Sequence, residues 1–139
     1  MKFTVYGEPQ GKARPRFTKS GRAYTPKKTV DMERRIALAY KSSHGELLGD
    51  DYIAITIRAY YPIPKSITKK EHDLIVRGLS LPSKKPDADN VLKLVMDGLN
   101  GVAYKDDKQV VYASVQKMYS DTPRTDVYID SWKKGEFRL

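Results

Sequence analysis

Four stretches of the chain alternate apolar and polar residues with a period of two, and three others place apolar residues every three or four positions, so strands and helices are interleaved. Residues 2–7, KFTVYG, set Phe3 and Val5 against Lys2, Thr4 and Tyr6 and predict a first strand closed by Gly7 and Pro9. The clearest strand pattern is YIAITIRAYYPI at 52–63, where Ile53, Ile55, Ile57 and Ala59 share one face. QVVYASVQKMY (109–119) and TDVYIDSW (125–132) predict two more strands, and the turn SDTP between them predicts an antiparallel hairpin. Thr25 followed by Pro26 at a first-turn position opens a helix to about residue 43, with Val30, Ile36, Ala37 and Tyr40 facing inward. Thr68-Lys69-Lys70-Glu71 has capping-box spacing and starts a short helix that runs to about Arg77 and stops at Gly78. From Ala88 to Leu99 the spacing of Val91, Leu92, Val95, Met96 and Leu99 predicts an amphipathic helix ended by Gly98 and Asn100-Gly101.

Between the first strand and the first helix lies GEPQGKARPRFTKSGRAYTP, whose glycines and prolines break regular structure while cations and aromatics interleave along it. It reads as a basic loop or β-hairpin arm over about 8–25. The chain has 139 residues, no internal repeat and no long linker, which fits one domain. The fold class expected is α/β (α+β), with a mixed sheet of about four strands, two main helices and a short third.

The absence of cysteine excludes a disulfide scaffold, a thiolate zinc site and a Cys nucleophile. The start MKFTVYGEP lacks the apolar run of a signal peptide, and no stretch approaches the roughly 20 apolar residues that span a bilayer. A cytoplasmic protein is expected, with no membrane partner. The two histidines, His44 and His72, sit in polar helix-end or surface contexts and are poor candidates for a general base. Trp132 and the strand tyrosines read as core residues.

The net charge is +9, and its distribution is uneven. Residues 1–41 hold eleven Lys and Arg against three acids. Such a basic front segment implies a polyanionic partner, nucleic acid first and an anionic membrane surface second; the alternative is a solvated basic surface that keeps the protein soluble. In the arm, Lys12, Arg14, Arg16, Lys19 and Arg22 are candidate phosphate contacts, Lys84 and Lys85 join them farther on, and Phe17 and Tyr24 are candidate stacking or wedge residues or else pack against their own domain.

Residues 84–107 break this pattern, with Asp87, Asp89, Asp97, Asp106 and Asp107 against four lysines. On a helical wheel with Asp89 at 0°, Lys93 falls near 40° and Asp97 near 80°, farther toward solvent, while the apolar stripe centres near 270° at roughly 100° per residue. Asp87 flanks the helix start. Asp106 and Asp107 arrive after the chain has turned, and the spacing permits them to return beside Asp87 and Asp89. Three carboxylates meeting without thiolate or imidazole form a ligand set that suits Mg²⁺ or Mn²⁺. Alternatively, Asp87 or Asp89 is a helix cap, Asp106 and Asp107 are turn residues, and Asp89 with Lys93 is a surface ion pair.

PDADNVLKLVMDGLNGVAYKDDKQV resembles the signature of the RusA-type Holliday junction resolvases, small phage-associated endonucleases: D-x-D-N, a lysine four residues past the second Asp, a helix ending in D-x-L, and D-D followed by x-Q-V. GKARPRF…YTP is also similar to the family's N-terminal region. The resemblance implies that Asp87, Asp89 and Asp107 are the essential metal-binding carboxylates, with Asp106 beside them, and that Lys93 is the catalytic lysine. It further implies a homodimer with two active sites facing a basic surface, which cuts four-way DNA junctions symmetrically with Mg²⁺ or Mn²⁺ in recombination and repair. The alternatives are a non-catalytic DNA-binding protein and a metal-dependent nuclease acting on other branched DNA, flaps or RNA.

Overall fold

The four alternating stretches assemble into one mixed sheet in a computed structural model that describes residues 1–43 and 45–136. His44 lies outside the described residues. In chain order the elements are β1 (Lys2–Tyr6), the two short arm strands β2 (Arg16–Phe17) and β3 (Ala23–Tyr24), α1 (Lys27–Ser43), β4 (Tyr52–Pro62), α2 (Lys69–Val76), α3 (Ala88–Leu99), β5 (Val110–Ser120) and β6 (Arg124–Trp132). The result is a single α+β domain with the strand order β1-β6-β4-β5.

β5 and β6 do not form the expected hairpin. β4 lies between them, parallel to β5 and antiparallel to β6, so residues 121–123 cross over the end of β4 at Tyr60 and Pro62. Burial decides the arrangement. With Ile53, Ile55, Ile57, Ala59 and Tyr61 all buried, β4 is the most apolar strand and gains most from the centre, where both edges are paired.

α1 and α3 cover one face of the sheet, and their inward residues join Phe3, Val5, Val127 and Ile129 in one core. On α1 the buried residues are Thr29, Ile36 and Tyr40, with Met32 and Ala39 packed against the cluster, while Val30 and Ala37 are half-buried. α3 is rotated from its expected orientation: Val91, Leu94, Val95, Gly98 and Leu99 are buried, whereas Leu92 and Met96 are half-buried and lean toward the acidic face. Gly98 explains the rotation, since a Cβ there would lie 3.0 Å from Ile36 Cβ and 3.2 Å from the Glu33 carbonyl oxygen. The helices meet backbone to side chain at that point. Gly98→Val should therefore lower stability by about 2–3 kcal/mol through overpacking, read as a lower urea midpoint with an unchanged slope.

The other sheet face carries cations stacked on tyrosines, with Arg124 at 4.0 Å from the Tyr60 ring centre and Arg58 and Lys2 at 5.5 and 5.6 Å from that of Tyr128. α2 is capped by Thr68, whose hydroxyl accepts from the Glu71 N–H at 3.1 Å, and Gly78 leaves it with φ +72°. His72 is exposed on this helix. Among the described residues no helix is long and apolar enough to cross a membrane.

Candidate active site

The sheet fixes the segment that leads into α3. The Tyr61 hydroxyl donates to the Pro86 carbonyl at 2.7 Å, and Lys117 Nζ donates to the Lys84 carbonyl at 2.6 Å while lying 5.1 Å from the Tyr61 ring centre. Burial, and after it the charge of Asp87, push the Tyr61 phenol up to about 12, so it remains a donor at neutral pH. On the opposite side the arm root is clamped to the same helix start. The Lys12 N–H donates to the Asn90 carbonyl at 2.9 Å, and a Cβ on Gly11 would lie 2.8 Å from Pro86 Cβ. Only glycine allows that approach.

Asp87 is thereby held at the N-cap position of α3 with extended backbone, yet its side chain makes no capping hydrogen bond. Asp89 and Lys93 are exposed one turn apart and do not form an ion pair with each other. Among the described residues, the side chains of Asp87, Asp89 and Lys93 have no hydrogen-bond or ion-pair partner. No bond within the described fold engages them, and Asp89 serves it only as an acid in the first turn of α3.

Tyr104 brings the chain back. It is fully buried, its hydroxyl donates to the Met96 carbonyl at 2.8 Å, and its own carbonyl accepts from the Gly101 N–H at 2.8 Å where Gly101 takes φ +76°. Burial first, then the charges of Asp107, Asp97 and Asp106, raise its phenol pKa. The return places Asp107 across a cleft of about 340 Å³ from Asp89, Lys93 and Asp97, with Leu92 and Met96 as its apolar floor.

Asp106 and Asp107 divide their duties. Asp106 caps a single 3₁₀ turn (Asp107–Gln109): its carboxylate accepts the Lys108 N–H at 2.9 Å, and Gln109 Oε1 accepts the Asp106 N–H at 3.1 Å. The Lys108 N–H is the chief reason its pKa lies below the usual carboxylate range. Asp107 is pushed the other way, chiefly by the adjoining Asp106 carboxylate, then by loss of solvent around it and by the charge of Asp97. Two carboxylates this close resist being charged together.

The expected meeting of Asp87, Asp89 and Asp107 is partial. Asp89 and Asp107 line one cleft, while Asp87 lines a neighbouring one of about 580 Å³ under the arm root. Among the described residues no group of three or more His, Asp or Glu side chains is arranged to hold a metal ion.

Asp97 and Glu33, neither expected among the site residues, are drawn in. Asp97, expected toward solvent, is only about one-third exposed and accepts Lys12 Nζ at 3.0 Å, while Glu33 on α1 takes the same ammonium at 2.6 Å. Lys12, an expected phosphate contact, is thus occupied by two carboxylates. Arg14, Arg16, Lys19, Arg22, Lys84 and Lys85 remain exposed. The arm is a β2–β3 hairpin with Arg16 opposite Tyr24 and Phe17 opposite Ala23. Phe17 is 69% and Tyr24 46% exposed, so neither aromatic is spent on the core. Sequence carried a signal for the Lys12 bridge only in part: Asp97 lies one helical turn past Lys93, but nothing local links it to position 12.

Burial works against the Lys12 charge, but its hydrogen bonds to Glu33 and Asp97 outweigh that and raise its pKa. A raised folded pKa means that the bridge contributes in full below the ordinary lysine value and is lost as pH climbs through the higher folded one. Lys12→Met should therefore destabilise by about 1–2 kcal/mol at neutral pH in urea unfolding, with the gap from wild type closing only under strongly alkaline conditions.

Residues 6–130 match the family model of endodeoxyribonuclease RusA, so the class is a family of DNA-cutting enzymes. The chain belongs to the RusA family. It is also 39% identical over 134 residues to the uncharacterized protein YqaN of Bacillus subtilis (strain 168), an alignment that covers 93% of this chain and 94% of that one.

Proposed function

We propose that this RusA-family chain is a divalent-metal-dependent endonuclease that resolves four-way DNA junctions in recombination and repair, working in the cytoplasm as a homodimer that places one nick in each of two opposed strands. The observation that carries this reading is the unspent set Asp87, Asp89 and Lys93 on the exposed start of α3, with Asp107 across the cleft. A fold that only needed caps and turn residues would have used those side chains. Asp106 alone does so.

The donor set fits Mg²⁺ or Mn²⁺: it is all carboxylate, without thiolate or imidazole, and Asp106 and Asp107 repel each other in a way that a cation relieves. Asp87, Asp89 and Asp107, with Asp106 beside them, would hold the ion, and all four are exposed. When bound, such an ion polarises the scissile phosphate and acidifies a water. Lys93 offers a compact charge to the extra negative charge of the pentacovalent phosphate or to the leaving oxygen. Arg14, Arg16, Lys19, Arg22, Lys84 and Lys85 hold the DNA by its phosphates, and Phe17 and Tyr24 offer faces to unstacked bases.

Labelled junction, flap and linear duplex incubated with Mg²⁺ or with EDTA test the reading. Paired symmetric nicks in the junction, with Mg²⁺ only, are expected. Binding without cutting would make the chain a DNA-binding protein, and equal cutting of flap and junction would make it a general branch nuclease.

A further inference from the structure

The larger cleft has a composition that the acid site does not explain. It lies where the arm root, the start of α1 and the start of α3 meet, with Arg14, Lys28 and Lys85 on its three sides and Glu8 and Asp87 as its acids. Among the described residues none of these three cations has a side-chain hydrogen bond or ion pair, in contrast to Lys12 beside them, which is held by Glu33 and Asp97. The walls are fixed. Gly11 is packed against Pro86 and Asn90, and the backbone bond from Lys12 to Asn90 prevents the arm root from lifting without losing it. Three unpaired cations on a rigid concave surface suit an anion with several oxygens, and Asp87 marks the end of the cleft that adjoins the acid site.

We infer that this cleft takes the phosphodiester backbone of one nucleic-acid strand immediately beside the scissile phosphate, with Arg14, Lys28 and Lys85 as its contacts. Lys28 is the new member of the group. It lies on α1, outside both the arm and the acidic motif, and reaches the strand only because the fold brings the two helix starts together. Contacts of this kind read backbone and not base, so they add affinity and direct the strand past Asp87 without sequence preference. The inference rests on the nuclease reading for its meaning, but its test does not depend on cutting.

Binding of a short fluorescein-labelled single-stranded oligodeoxynucleotide, followed by anisotropy in EDTA at several salt concentrations, provides that test. The triple variant Arg14→Gln, Lys28→Gln, Lys85→Gln should bind about a hundredfold more weakly near 0.1 M salt, and its slope of log Kd against log salt should fall by about 2, at about 0.7 per lost contact. Lys28→Gln alone should account for about fivefold, and Lys28→Arg should restore it. A control triple with the same charge change, Lys69→Gln, Lys133→Gln, Lys134→Gln, uses exposed lysines that do not line the cleft. Its slope should stay within about 0.7 of wild type, and thermal melts establish that each variant is folded. Equal losses in the two triples, or an unchanged slope in the cleft triple, would overturn the inference. A wild type that shows the cleft-dependent slope yet cuts no junction with Mg²⁺ would leave the cleft standing and remove the nuclease reading instead.

Discussion

Asp89→Asn should leave junction binding within about twofold of wild type and reduce cutting by about 10³-fold or more, close to 4 kcal/mol of transition-state stabilisation. The side chain is exposed and has no partner among the described residues, so an isosteric amide should leave folding unchanged within about 0.5 kcal/mol. What the amide lacks is charge. It is a poor ligand for a hard cation, and it leaves Lys93 on the same helix and Asp107 across the cleft with a neutral group for a neighbour. A variant that retains its cutting rate would remove Asp89 from the metal site, and one that fails to bind would reassign it to DNA contact.

Lys93→Met should have the second largest effect, about 10²-fold in the cutting step with little change in Kd for the junction. Methionine keeps most of the length of the side chain and removes the ammonium, which makes no ion pair that the fold would miss. Single-turnover kinetics separate the two readings, since a phosphate anchor would change Kd and the rate together. The double variant with Asp89→Asn should be far less than multiplicative, because both groups act on one transition state.

Which residues form strands and helices could be read from the chain; which strands lie side by side could not. Period-two alternation marks β5 and β6 equally well, but the hairpin expected from the short turn between them gives way to β4. Pairing of the most apolar strand on both edges is a property of the whole sheet, and no local pattern encodes it. α3 offers a similar case. Its periodicity was plain, but its rotation depended on Gly98 meeting Ile36 on another helix, and that contact turned Leu92 and Met96 toward the acid cleft.

The candidate site divides in the same way. Asp87, Asp89, Lys93, Asp106 and Asp107 were legible because they are close in the chain and their spacing resembles that of a known family. Asp97, Glu33 and Lys12 were not, because their bridge joins the arm, α1 and α3 across the fold. Asp107 stood between these cases: its approach to α3 depends on Tyr104, whose buried hydroxyl fastens the return loop to the Met96 carbonyl. An aromatic residue two positions before a pair of acids carries no signal of that task until the helix it leans on is known.

The most direct test is to count the manganese ions that the chain binds. Electron paramagnetic resonance titration of Mn²⁺ should be run with junction DNA present, on wild type, Asp89→Asn and Asp107→Asn. At least one tightly held ion per chain is expected in the wild type, weakened about tenfold or more by either substitution. Equal Mn²⁺ occupancy in all three proteins would contradict the assignment of these carboxylates as the place where the metal and the DNA phosphate meet.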